Sequence, residues 1–290
     1  MNVGSVEFEE LRTATSAGHL LSKMSSGVTI LRGAMSQSSS SVLLGAMRRL
    51  FGKSQDEKNR YHSQRAVSPG YEPYGVARAI DTAIPNLLES WTVSPTSLAK
   101  FPNDSRDDWY DLADVCRTLN STGSLALAAL DWGLDVGGLL IRSACPNISD
   151  LRLINYPAHL IKDIPQGARR QSIHVDSSIL TLLPHASERG LRVEIDGQFV
   201  TLSTMPGDVV LMAGSLLEFL TDGRILASRH TVGFNEGPNE RIADRLSAVY
   251  MIDPAPTKYL HRVCGRPETI SVVEHQSEYT SSFSPSGAND

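Results

Sequence analysis

The residues with the clearest chemical potential lie in the second half of the chain. His174 and Asp176 flank Val175. In an extended strand, residues i and i+2 point to one face, so this imidazole and carboxylate would converge as two ligands of one metal ion must. Alone, a His-x-Asp step fits the polar face of a surface strand equally well. His230, within the apolar-flanked run Leu226-Ala-Ser-Arg-His-Thr-Val232, adds a third donor. Two histidines and one carboxylate on facing strands make the facial triad of non-haem Fe(II) sites, which leaves metal positions open. His185 after Pro184, and His261 and His275 near the C-terminal end, are rivals for the third place. A zinc hydrolase could use the same donors, but there is no neighbouring glutamate base of the zincin kind.

A second constellation follows at Arg245-Leu-Ser247. Both polar side chains would share one strand face. A guanidinium on a buried face needs an anionic partner, because an unpaired buried charge is very costly. Its fork fits a carboxylate at two points, and a serine hydroxyl adds a third contact. The pair therefore reads as a holder for one end of a small dicarboxylate, against the alternative of a structural ion pair with Asp244 or Asp253. Arg170-Gln-Ser172 repeats the pattern but runs straight into the His174 strand, so it is set aside. Arg169-Arg170 could attract an anionic substrate or form a solvated pair on a loop.

Elements that could position these groups are legible in the hydrophobic pattern. The second half alternates short apolar runs with turn signals: Leu151–Tyr156, Ile179–Leu183, Leu191–Ile195, Phe199–Leu202, Val209–Met212, Ala227–Phe234 and Leu246–Ile252. Asp196-Gly197 between two of them is a strong hairpin signal. Short strands at this spacing predict an all-β sandwich or barrel, of which the double-sheet jelly roll is one form. The first half reads as helical over Glu7–Met24, Ser38–Phe51 and Asp107–Leu140, with a lone strand between Gly27 and Gly33. Ser54 and Glu57 have capping-box spacing.

Composition bounds the rest. The chain has 290 residues, 41% hydrophobic and 20% charged, which is ordinary for a globular protein. Its net charge of −5 leaves no basic surplus, so no nucleic-acid partner is expected. The most apolar long stretch, Ser124–Ile141, contains Asp131 and Asp135, so no membrane association is expected either. The first ten residues lack a basic-then-apolar leader pattern. Three widely spaced cysteines (Cys116, Cys145, Cys264) fit a reducing cytoplasm.

The motifs together resemble the isopenicillin N synthase-like family of Fe(II)- and 2-oxoglutarate-dependent dioxygenases. Gln171–Leu183 resembles the family's "H-x-D … L-T-L-L" pair. Gly190-Leu-Arg-Val with Asp196-Gly-Gln-Phe-Val resembles its "G-L-Q-V … G-x-W-V" hairpin. Pro206-Gly-Asp-Val-Val, Leu220-Thr-Asp-Gly-Arg, Ser228-Arg-His-Thr-Val and Arg245-Leu-Ser resemble four further family motifs, and Leu50–Lys58 resembles an N-terminal one. The likeness covers roughly residues 25 to 253.

The resemblance implies an α+β protein with a double-stranded β-helix (jelly-roll) core flanked by N-terminal helices. Residues 1–150 would pack on the core without being an independent domain, 151–253 would be the catalytic core, and 254–290 a tail or lid. It implies Fe(II) on His174, Asp176 and His230, and the distal carboxylate of 2-oxoglutarate on Arg245 and Ser247. Tyr156 would contact that carboxylate too. The family's asparagine two residues earlier is Ile154 here, so Asn155 takes no role. With O2 as oxidant, a small-molecule substrate would be hydroxylated, desaturated or ring-closed, in specialised metabolism. Asp176 argues against halogenation. Tyr71–Tyr74, Trp91–Ser94, Ile179, Thr181 and the tail would meet the substrate. A monomer or weak homo-oligomer is expected. The competing readings are an Fe(II) oxidase of the same fold that uses no 2-oxoglutarate, and a non-catalytic jelly-roll binding protein.

Overall fold

The structure is a computed structural model, described for residues 3–63, 69–77, 84–94, 106–145, 149–234, 241–254 and 259–275. Its elements in chain order are β1 (Ser5–Glu7), α1 (Ala14–Lys23), β2 (Val28–Arg32), α2 (Gln37–Phe51), α3 (Gln55–Asn59), β3 (Gly70–Glu72), β4 (Glu89–Val93), α4 (Arg106–Leu134), α5 (Leu139–Ser143), β5 (Leu151–Tyr156), β6 (His159–Leu160), β7 (Gln171–His174), β8 (Leu180–Pro184), β9 (Leu191–Ile195), β10 (Gln198–Thr201), β11 (Val209–Ala213), α6 (Ser215–Leu220), β12 (His230–Val232), β13 (Arg241–Ile242), β14 (Arg245–Ile252), β15 (Tyr259–His261) and β16 (Thr269–Ser271).

Two sheets carry the architecture. The larger runs β1-β2-β11-β8-β14-β5-β4-β3, and the smaller runs β10-β9-β12-β7. All pairings in them are antiparallel except β1 with β2. Strand alternation gives each face of the large sheet its own core. On β14, Leu246, Ala248, Tyr250 and Ile252 face the helices. They pack with Leu43, Met47 and Leu50 of α2 and Leu112, Leu119 and Leu130 of α4. The opposite face meets the small sheet, where Ile30, Ile154, Tyr156, Leu183 and Val210 pack against Leu191, Val193 and Val232. This is a jelly roll with helices on one outer face.

Local chemistry explains the helical boundaries. Ser36 caps α2 through Ser39 N. Ser54 and Glu57 form the reciprocal capping box at α3. The predicted Asp107–Leu140 helix is two helices: Asp135, Gly137 and Gly138 adopt positive φ, and the Asp131 carboxylate accepts from Gly138 N and Leu140 N to start α5. Glu7–Met24 likewise divides into a 3-10 turn, Phe8–Arg12, and α1. Gly123 lets α4 lie close on the sheet, since a Cβ there would fall 2.1 Å from Ile252 Cδ1.

The first half contributes more than helices. β1 and β2 close one edge of the large sheet and β3 and β4 the other. The hydrophobic pattern marks β2 but not β1, β3 or β4. These are three- to five-residue strands, and the acidic residues of β3 and β4 are buried against partners. Glu89 takes hydrogen bonds from Lys58 Nζ at 2.8 Å and Asn155 Nδ2 at 2.8 Å, and from the Tyr71 hydroxyl. Glu72 accepts from Arg152 Nη2 at 2.6 Å and Ser90 Oγ at 3.1 Å. Part of the expected tail, Tyr259 to Ser271, forms the β15–β16 hairpin, and the part beyond 275 lies outside the described residues.

Candidate active site

The small sheet brings the three metal-ligand candidates together. β12 pairs with β7 so that His230 lies opposite His174. Asp176 does not lie on β7 with His174, as strand alternation predicts. It falls two residues past the strand end, in the connection to β8. Tertiary contacts hold it there instead. Its carbonyl accepts from Ser215 N at 2.8 Å, and its Oδ2 accepts from Thr181 Oγ1 at 2.6 Å. Ser178 Oγ lies 2.9 Å from the same Thr181 hydroxyl. The β11–α6 corner backs directly on this loop, because a Cβ on Gly214 would fall 2.0 Å from Ser178 O.

The remaining Asp176 oxygen, Oδ1, is 3.5 Å from His174 Nε2 and 3.9 Å from His230 Nε2. One donor atom from each residue lies within 4.8 Å of the others, and this is the only such group of three among the described residues. Both imidazoles are oriented from behind. His174 Nδ1 is 2.8 Å from Ser172 O, and His230 Nδ1 is 3.0 Å from Ser228 O. A carbonyl can only accept, so each Nδ1 carries the proton and each Nε2 presents a lone pair to the centre. Burial, then the neighbouring His174, pushes His230 down to about 4, which keeps it neutral near pH 7. Burial raises the Asp176 carboxyl, but His230, His174 and the Thr181 hydrogen bond outweigh that and hold it well below the usual carboxylate range. A neutral, pre-oriented His pair with an ionised carboxylate is the donor set of a divalent metal site.

The rival histidines are engaged elsewhere: His185 with Thr204, His261 with Thr269 and His275 with Ser215.

Arg245, Ser247 and Tyr156 share the interior of the jelly roll. Arg245 lies opposite Tyr156, and Ser247 opposite Ile154, on paired β14 and β5. All three side chains are buried. The guanidinium carbon is 5.3 Å from the Tyr156 ring centroid, and Nε donates to Glu188 O at 3.0 Å. Among the described residues, neither Asp244 nor Asp253 forms an ion pair with it, and its Nη1 is buried without a hydrogen-bond partner. A cavity of about 380 Å³ reaches Arg245 and Ser247; its walls mix Leu183, Leu191, Leu202 and Val210 with His185, Glu188 and Thr204, and its lining stops short of the triad. A buried cation with a spare donor and a hydroxyl beside it, reached by a cavity, fits one carboxylate of a small dicarboxylate such as 2-oxoglutarate. Asn155 points to the other face of β5 and binds Glu89, as its parity requires.

Several positioning groups are not evident from sequence pattern. Thr181, expected to meet substrate, donates its hydroxyl to Asp176 and so orients it. Ser215 and Gly214 follow β11 in an apolar run, with no signal linking them to the metal loop. Arg170 is not solvated: it is 1% exposed and inside the protein.

A jelly roll with two histidines and an aspartate at its mouth has the donor arrangement of a non-haem metal site. Residues 148–254 match the model of the 2OG-Fe(II) oxygenase superfamily. A 134-residue stretch is 31% identical to the 2-oxoglutarate-Fe(II) type oxidoreductase ppzD of Metarhizium rileyi, covering 44% of this chain and 38% of that protein. A 147-residue stretch is 30% identical to deacetoxycephalosporin C synthase of Amycolatopsis lactamdurans, covering 49% of this chain and 43% of that enzyme. The chain thus spans less than half the length of these relatives. A full-length Neurospora crassa protein, solved in complex with alpha-KG, shares the fold, with a TM-score of 0.83 at 18% identity over 96% of this chain and 95% of that one.

Proposed function

We propose that the chain is an Fe(II)- and 2-oxoglutarate-dependent oxygenase that oxidises a small molecule in specialised metabolism. The observation that carries the co-substrate assignment is the buried Arg245 Nη1, which has no partner in a chamber it shares with Ser247. His174, Asp176 and His230 would hold the metal. Arg245, Ser247 and Tyr156 would hold the distal carboxylate of 2-oxoglutarate. The names of the relatives, one a deacetoxycephalosporin C synthase, support a natural-product setting.

When bound, iron would activate O2, the oxidant, and 2-oxoglutarate would supply two electrons as it is converted to succinate and carbon dioxide. The chain's own residues do the rest. Ser172 and Ser228 carbonyls fix which imidazole nitrogen faces the centre. Thr181 fixes which carboxylate oxygen does. Arg245 sets the depth to which a dicarboxylate enters, and the Leu183, Leu191 and Val232 walls exclude water from it. Substrate would approach the open side of the triad and be hydroxylated, desaturated or ring-closed according to its pose. The reading includes a diffusible small-molecule substrate, no nucleic-acid or membrane partner, and a cytoplasmic setting. All three cysteines are free, which suits a reducing setting. Among the described residues no helix is long and apolar enough to cross a membrane.

The test is succinate release from 2-oxoglutarate by the purified chain with Fe(II), O2 and a panel of natural-product precursors. Succinate formed only when all components are present supports the reading. Substrate oxidation with no succinate would replace it with an oxidase that does not use 2-oxoglutarate. Failure to bind either Fe(II) or 2-oxoglutarate would leave a binding protein.

A further inference from the structure

Arg170 is the second fully buried guanidinium of the jelly-roll interior. It is 1% exposed, and Arg245 is 2% exposed. Among the described residues, neither has a carboxylate within ion-pair distance; Asp244 and Glu188 act on Arg170 only from farther off. One Arg170 nitrogen, Nη2, donates to Ala243 O, while Nε is buried with no partner. Both guanidinium groups lie against the same phenol ring, 5.8 Å from the Tyr156 centroid for Arg170 and 5.3 Å for Arg245.

Strand register places the two at one depth. Val232 lies opposite Gln171 on one side and Leu191 on the other. The next step along these strands brings Gly233 beside Gly190, with Arg170 the residue just before Gln171. Arg245 lies over Gly190, where an added Cβ would be 3.7 Å from its Cδ. A register shift in β7 opposite His230–Val232 breaks the alternation before Arg170, so contacts rather than parity place it: its guanidinium lies over the Tyr156 and Phe234 rings. Both arginines therefore lie about three residues below His174 and His230, roughly 10 Å at strand rise. From that depth a side chain as long as arginine can reach up toward the far end of a five-carbon dicarboxylate whose near end is at the metal.

Two buried cations around one phenol, neither ion-paired among the described residues, call for an anion between them. We infer that Arg170 is a second anchor for the distal carboxylate of 2-oxoglutarate, acting from the small sheet opposite Arg245. This rests on the proposed use of 2-oxoglutarate and adds to it. One sheet supplies Arg245, Ser247 and Tyr156, the other Arg170, so a correctly charged co-substrate ties the two sheets together at its far end.

The test is anaerobic calorimetry on the Fe(II)-loaded protein with two ligands, 2-oxoglutarate and 2-oxopentanoate, which keeps the 2-oxo acid head but lacks the distal carboxylate. In Arg170→Met, 2-oxoglutarate affinity should fall about 10- to 100-fold, the loss of one charge-assisted buried contact. Affinity for 2-oxopentanoate should stay unchanged. Arg170→Lys, which keeps the charge and loses the fork, should show a smaller loss with the same selectivity; it carries the test if the Met variant does not fold. A merely structural Arg170 would weaken both ligands alike or neither, and either result overturns the inference while leaving 2-oxoglutarate use intact. Wild-type protein that fails to prefer 2-oxoglutarate over 2-oxopentanoate overturns both.

Discussion

Thr181→Val isolates the orientation of the aspartate from its charge. Thr181 is fully buried on β8, and its hydroxyl donates to Asp176 Oδ2 at 2.6 Å. Valine keeps the shape and removes only the donor. A hydrogen bond to a charged group contributes about 1.5–3 kcal/mol, so its loss corresponds to about a 10- to 150-fold change in equilibrium. Loss of an outer partner of a metal ligand typically weakens metal binding by about 10–100-fold, the same range reached independently. Two effects act together. The carboxylate gains rotational freedom, and its pKa rises because one of the contacts holding it low is gone. Ser178 Oγ also loses its partner. The assay is anaerobic titration of the metal-free protein with Fe(II), followed by calorimetry, with Thr181→Ser as the control that restores a hydroxyl. Metal affinity in Thr181→Val equal to wild type would refute the claim that this hydroxyl positions Asp176.

Three further outcomes are expected. Gly214→Ala should abolish Fe(II) binding before it unfolds the protein, because its methyl group would collide with Ser178 O and displace the Asp176 loop; retained binding in a metal titration would show that the corner yields. Lys58→Met should lower the unfolding free energy by about 3–5 kcal/mol in a urea titration, since it leaves the Glu89 carboxylate buried without its cation; a change near zero would show that Tyr71 and Asn155 suffice. Asp253 is held up to about 7, first by burial and then by Asp150 and Asp176, against an ordinary 3.8. The folded state therefore binds the extra proton, and this stabilisation is complete below about pH 3.8 and lost as pH rises through about 7. The melting temperature of metal-free wild type relative to Asp253→Asn should fall from pH 5 to pH 8, and a flat difference would exclude the shift.

Most of the chemistry and the strand-rich half are legible in the order of the amino acids alone. His174, Asp176 and His230 stand out because metal ligands must be His or carboxylate and lie within or beside short apolar runs. Arg245 and Ser247 stand out because period-two alternation puts them on one face with an unmet need for an anion. Such signals are local, and a strand expresses them without help. Relations between segments distant in the chain are settled only when the sheets come together. β1, β3 and β4 are strands because partners elsewhere complete their hydrogen bonds, with Glu72 and Glu89 neutralised by Arg152 and Lys58 from other elements. Asp176 reaches the metal site from outside β7 because Thr181 and Ser215 hold it there. Arg170, two residues before Ser172 in an apparently solvated loop, is buried because the small sheet folds it over Tyr156. Pattern reports which face a residue shows, but burial and charge balance depend on what the opposite sheet places against that face.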